Sequence, residues 1–186
     1  MKTLVIHPSD RSTDFLKIIY ENHMNDNEWT ILNESESLTR DDLENLIKEN
    51  DRIIMMGHGV PQGLLNPYRS FEKMRGLIID DSFADLLRTK DTISIWCWSD
   101  QYFRRNHIKG LHTGMIISEV YEARYAIGKT PLNKEQTLEN MEMFARAFRD
   151  CIDNVDHKEI QKYVLEHYVG KDKVTQFNRN NVIVLD

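Results

Sequence analysis

The chain has 186 residues, 40% of them hydrophobic and 29% charged, and a net charge of -6. That length supports one α/β or α+β domain with a real core, spanning 1–186. Eight Gly and four Pro are about half the average usage, which excludes collagen-like, linker-rich and low-complexity chains and favours long regular elements. A pI near 5.7 argues against nucleic acid and anionic membranes as partners, because both select a basic face.

Cys97 and Cys151 are too few for a disulfide framework, and two thiols with eight Met suit a reducing, cytoplasmic interior. The apolar run at residues 3–6 is far too short for a signal peptide. No stretch approaches the roughly 20 apolar residues that span a bilayer. A soluble chain without a targeting segment is expected.

In chain order, residues 3–6 read as a buried strand that stops at His7-Pro8, since Pro removes a donor and restricts the residue before it. A helix is expected from about Ser12, with Phe15, Leu16, Ile18 and Ile19 on one face. A second strand follows at 29–32. Thr39 with Asp42 caps a second helix carrying Leu43, Leu46 and Ile47.

Residues 52–56 form a third strand, ending at Gly57-His58-Gly59. The segment 60–75, with Pro61, Gly63 and Pro67, reads as a long loop on the sheet's edge. A third helix is expected over 81–87 and a fourth strand over 92–98, closing on Cys97-Trp98-Ser99-Asp100. The segment 114–126 starts as a strand or a helix. Asn133 and Gln136 match a capping box ahead of a Leu138, Met141, Phe144, Ala145, Phe148 stripe, which reads as core or as a packing face for a second copy. A helix over 158–168 and a short strand over 181–185 complete the chain.

Short strands alternating with helices predict an α/β three-layer sandwich with a mainly parallel sheet, flavodoxin-like or caspase-like in arrangement. In such sheets ligands bind beyond the carboxyl ends of the strands. There the sequence places its chemistry: His7, Ser9 and Asp10 after the first strand, His58 after the third, and Cys97, Ser99 and Asp100 at the end of the fourth. With strand order 2-1-3-4, the third and fourth strands lie about 4.8 Å apart and His58 can face Cys97. That spacing suits a thiol and its base, because an imidazole removes the thiol proton during attack. Glycines on both sides of His58 let a backbone N–H approach a developing oxyanion.

An apolar strand closing on His-Gly, followed about forty residues later by another closing on Cys-x-Ser, resembles the caspase-like cysteine peptidase fold, including bacterial relatives of the metacaspase and CHAT type. The resemblance runs over about residues 3–122. It implies that His58 is the general base, Cys97 the nucleophile, and the N–H groups of Gly59 and Cys97 the oxyanion hole.

Around this pair, Trp98, Ser99, Asp100, His7, Asp10 and Glu119 are the candidate substrate-binding residues. Asp100 would select a basic side chain, or Arg104 and Arg105 an acidic one. Glu119 or Glu122, which share a helical face, would orient His58 or contact substrate. Each residue also has a plain structural use: a strand cysteine is usually core, and Ser9, Asp10 or Ser12 would ordinarily cap a helix. Cys151, late in a helix, reads as structural.

No glycine-rich phosphate loop is present. His107 and His112 match no zinc spacing, so they read as surface histidines and neither cofactor nor metal is expected. The expectation is a hydrolase acting on a peptide or related small substrate. Its alternatives are a module on the same sheet edge that binds a nucleotide-like or other anionic small molecule through the histidines, Asp10 and Arg11, and a degenerate caspase-like protein acting through a partner.

Overall fold

In a computed structural model of the chain, which describes residues 1–33, 38–67, 76–128 and 132–186, the first apolar run forms strand β1 (Thr3–Ile6), buried along its whole length. It pairs in parallel with β2 (Trp29–Leu32) on one side and β3 (Arg52–Met56) on the other. Beyond β3 lie β7 (Asp91–Ile95) and β8 (Gly110–Thr113), again parallel, and then β9 (Val182–Leu185), antiparallel to β8. The six-stranded order is β2-β1-β3-β7-β8-β9, so the two strands that precede His58 and Cys97 are neighbours, although β7 stops at Ile95, short of the expected 98.

Strand alternation divides the apolar side chains between two faces. Val5, Ile54, Met56, Ile93 and Ile95 belong to one core with Phe144, Phe148, Ile160 and Val164 from α5 (Lys134–Arg149) and α6 (His157–His167). Leu4, Ile6, Ile53 and Met55 belong to the other, with Leu43 and Ile47 from α1 (Arg40–Glu49), Leu87 from α2 (Ala84–Leu87) and Phe103 from α3 (Ser99–Arg105). Helices therefore cover both faces of a mostly parallel sheet, as the strand–helix alternation predicts. Each fully buried Val, Leu or Ile contributes about 1.5–3 kcal/mol.

The expected caps of α1 and α5 are present. Thr39 accepts from the Asp42 N–H at 3.2 Å while Asp42 accepts from the Thr39 N–H at 2.9 Å, and Asn133 and Gln136 reciprocate in the same way. Met141, Phe144, Ala145 and Phe148 are buried as that stripe requires, but Leu138 is 51% exposed and lies off it.

A buried charge also ties the elements together. Arg52 donates to Asp91 Oδ2 at 2.6 Å and to the carbonyls of Ile152 at 2.7 Å and Asn154 at 2.8 Å, so a single guanidinium joins β3, β7 and the turn after α5. A fork-shaped donor satisfied on three sides offsets its desolvation, which a lone cation would not.

Several local expectations change. The first helix is two 3-10 turns, Asp14–Ile19 and Glu21–His23, and begins at Thr13 without a side-chain cap. The Thr13 hydroxyl instead accepts from the Asp10 N–H at 3.1 Å, so it serves the loop rather than the helix.

The expected loop 60–75 contributes β4 (Gly59–Val60) and β5 (Gly63–Leu65), which join β6 (Leu77–Ile79) in a separate three-stranded antiparallel sheet. Residues 68–75 of that loop lie outside the described residues. The segment 114–126 begins as irregular chain and ends in α4 (Val120–Ile127), the strand having finished at Thr113. α3 and α7 (Lys173–Asn180) have no counterpart in the predicted elements. Among the described residues no helix is long and apolar enough to cross a membrane.

Candidate active site at the carboxyl edge of the sheet

The register of β3 against β7 pairs Met56 with Ile95, and the Gly57 N–H still donates to the Ile95 carbonyl at 3.1 Å. His58 and Cys97 each follow that last registered pair by two residues. Cys97 follows Ile95 in alternation, and its thiol lies on the Ile116 carbonyl, toward the α5–α6 side of the sheet. Gly57, at φ 136°, makes the bend that begins the departure from β3. At Gly59 the requirement is space: a Cβ there would stand 1.9 Å from Cδ1 of Trp96, whose ring is buried against that backbone.

The His58 imidazole is held from the loop after β1. Its Nε2 lies 2.8 Å from Ser12 Oγ and 3.0 Å from Asp10 Oδ2. The other carboxylate oxygen, Oδ1, accepts from the Ser12 N–H and Ser12 Oγ, each at 2.8 Å, and from the Thr13 N–H at 3.1 Å. Burial raises the Asp10 carboxyl, but the Ser12 hydrogen bond and the charge of His58 outweigh it and hold the group below the usual carboxylate range. Among the described residues nothing hydrogen-bonds to His58 Nδ1, and the ring is 35% exposed.

Cys97 is half-buried. Its thiol donates to the Ile116 carbonyl at 3.5 Å, and no hydrogen bond joins it to His58 among the described residues. Burial pushes the thiol up to about 11; the Ile116 contact works against this, and the negative charge of Glu122 adds to it.

Among the described residues the Cys97 N–H has no hydrogen-bond acceptor. The Leu65 N–H donates to the His58 carbonyl at 2.9 Å, so the next pair, Gly59 and Leu64, is the non-bonded one and the Gly59 N–H points away from β5. Both candidate oxyanion donors are therefore free of the ladders.

The remaining candidates separate. Trp98, in the left-handed region at φ 63°, and Asp100 line one cleft of about 520 Å³ with Met115, Tyr125 and Phe177. Asp100 is its one charged lining group among the described residues, 16% exposed and 3.6 Å from Arg104. Arg105 is committed elsewhere, donating to the Pro61 carbonyl and to Asp81, each at 2.7 Å.

Three substrate-binding expectations meet a different placement. Ser99 is fully buried; its hydroxyl donates to the Thr113 carbonyl and accepts from the Thr113 N–H, both at 2.9 Å, tying α3 to β8. His7 is fully buried against the Tyr20 hydroxyl at 3.0 Å, and burial lowers it to about 4. Glu119 caps α4, and Glu122 accepts from the N–H groups of Ser118 at 2.7 Å and Glu119 at 2.9 Å, so neither carboxylate orients His58.

His112 is not a surface residue: it is fully buried, stacked on Phe103 and 2.7 Å from Ser94 Oγ. Cys151 is half-buried after α5, with its thiol on the Ala147 carbonyl at 3.2 Å.

Ser12 and the Ile116 carbonyl enter the site without a sequence expectation. Asp10-x-Ser12 directly after a strand was the available signal for the first, and its ordinary use as a cap concealed it. No group of three or more His, Cys, Asp or Glu among the described residues is arranged to hold a metal ion. No protein-family model matches the chain, and neither a curated protein nor a solved structure matches it.

Proposed function

We propose that the chain is a cysteine hydrolase of the caspase-like kind, cutting a peptide or related acyl bond with Cys97 as nucleophile and His58 as general base. The observation that carries this reading is the matched position of the two residues. Each stands two residues past a registered pair, Met56 and Ile95, on neighbouring parallel strands. A partly exposed imidazole tethered at one nitrogen adds to it.

In this mechanism Cys97 Sγ leaves the Ile116 carbonyl and attacks the substrate carbonyl carbon, and His58 takes the thiol proton. The oxyanion accepts from the Cys97 and Gly59 N–H groups. His58 then returns the proton to the leaving amine. A water whose proton His58 takes attacks the thioester, the C–S bond breaks, and His58 passes that proton to the Cys97 sulfur as the acid leaves. A thiol raised to about 11 by burial rests protonated at neutral pH, which is why the mechanism needs His58 as a base.

The cleft beside Trp98 supports a cationic substrate side chain. It carries one carboxylate, Asp100, and aromatic walls at Trp98, Tyr125 and Phe177, the chemistry that attracts a guanidinium or ammonium. The alternative of an anion-binding edge is weakened, because His7 is buried and the Asp10 carboxylate would repel the ligand.

Fluorogenic peptide amides that differ in the residue before the scissile bond test the reading. Turnover of at least one by the wild type and none by Cys97→Ala supports it. Equal turnover by Cys97→Ala contradicts it.

A further inference from the structure

We propose that Asp10 is a positioning residue that sets which nitrogen of His58 is the base. With Ser12 it holds a proton on Nε2, leaving the Nδ1 lone pair to receive the proton of Cys97. The catalytic consequence rests on the hydrolase reading above. The tautomer itself does not.

Asp10, Ser12 and His58 form a closed ring of three side chains with few protons to share. Ser12 has one hydroxyl proton and two candidate acceptors, Asp10 Oδ1 at 2.8 Å and His58 Nε2 at 2.8 Å. Were Nε2 unprotonated, its lone pair would face the ionised Asp10 Oδ2 at 3.0 Å with no proton between them. With the proton on Nε2, every group is satisfied. Nε2–H is shared between Asp10 Oδ2 and Ser12 Oγ, and the Ser12 hydroxyl donates to Asp10 Oδ1. The same count removes Ser12 as a nucleophile, because its proton belongs to the carboxylate and not to the imidazole.

The carboxylate is fixed for this task by its other oxygen. Oδ1 collects the Ser12 and Thr13 N–H groups at 2.8 and 3.1 Å, so Oδ2 has no freedom to turn away from His58. The Asp10 side chain is 7% exposed, and few waters compete for it. A carboxylate on one ring nitrogen is the general means of selecting the other as the base.

Asp10→Asn separates this role from a purely structural one. The amide oxygen keeps the loop N–H bonds, and the amide nitrogen then faces Nε2 as a donor, reversing the polarity there. We expect nitrogen-15 spectra of the full chain, with His58 identified by its absence in His58→Ala, to show Nε2 protonated and Nδ1 unprotonated in the wild type. In Asp10→Asn the populations should invert toward Nδ1–H, with Cys97 alkylation at neutral pH at least ten-fold slower. Ser12→Ala should keep the wild-type tautomer.

An Nδ1–H tautomer in the wild type overturns the proposal, and that spectrum decides even if Asp10→Asn fails to fold. An unchanged tautomer in folded Asp10→Asn overturns it too. A wild-type Cys97 that does not alkylate defeats the hydrolase reading separately and leaves the tautomer result standing.

Discussion

Asp10 Oδ2 stands 3.0 Å from His58 Nε2 while Oδ1 of the same carboxylate gathers the N–H groups of Ser12 and Thr13. One side chain both shapes the loop after β1 and ties it to His58, two residues past the end of β3. The sheet order makes this economical, since β1 and β3 are hydrogen-bonded neighbours and their carboxyl ends share one edge.

Gly59→Ala should destabilise the fold. Its Cβ would lie 1.9 Å from the buried Trp96 ring, and overpacking of this kind costs about 1–3 kcal/mol, a fall in melting temperature on the order of 5 °C. Thermal denaturation of Gly59→Ala, Trp96→Leu and the double variant checks the cause. A double variant more stable than the sum of the single losses identifies the clash, and strict additivity excludes it.

Asp100→Asn should leave the thiol chemistry intact while changing substrate choice. Removing the one charged lining group of the cleft should lower turnover of a peptide with Lys or Arg before the bond at least ten-fold relative to a neutral counterpart. An unchanged ratio would place the cationic side chain elsewhere.

Stability should fall as pH drops from about 6.5 toward 4. Burial holds His7 neutral down to about 4 and His112 down to about 3, against 6.5 for the unfolded side chain. Across that window the unfolded chain binds protons that the folded chain refuses, so each histidine removes about 1.4 kcal/mol per pH unit. The effect is absent above 6.5. Melting temperatures between pH 7.5 and 4.5 should show the slope, and His112→Phe should reduce it by roughly half. A flat profile would contradict the neutral burial of both rings.

Much of this edge is legible in the sequence because strand ends are. Apolar runs mark β1, β3 and β7, and Pro8 and Gly57 mark where the first two stop. No Gly or Pro directly follows β7, which ends at Ile95 and not at 98, but the adjacency of β3 and β7 follows from order alone. Side-chain fate beyond the strands was less legible. Ser99 and Asp100 are adjacent in sequence, yet one closes a hydrogen-bond knot inside the fold and the other lines the cleft, because consecutive helix positions face different ways. His112 misled for a related reason: β8 is a four-residue strand of which only Leu111 is strongly apolar, and no periodicity marks it as buried. The hairpin of β4 and β5 escaped because its strands are two and three residues long.

In this mechanism His58 removes the proton of Cys97, and the chain contains its own control. Burial pushes Cys151 up to about 12 and Cys97 up to about 11, and Cys151 has no hydrogen bond to a histidine among the described residues. Iodoacetamide modification at pH 7, followed by intact mass and peptide mapping in the wild type and in His58→Ala, compares the two thiols directly. The account predicts that Cys97 reacts at least a hundred-fold faster than Cys151 and loses at least ten-fold of that rate in His58→Ala, with Cys151 unchanged. A Cys97 rate similar to that of Cys151 and indifferent to His58→Ala would contradict it.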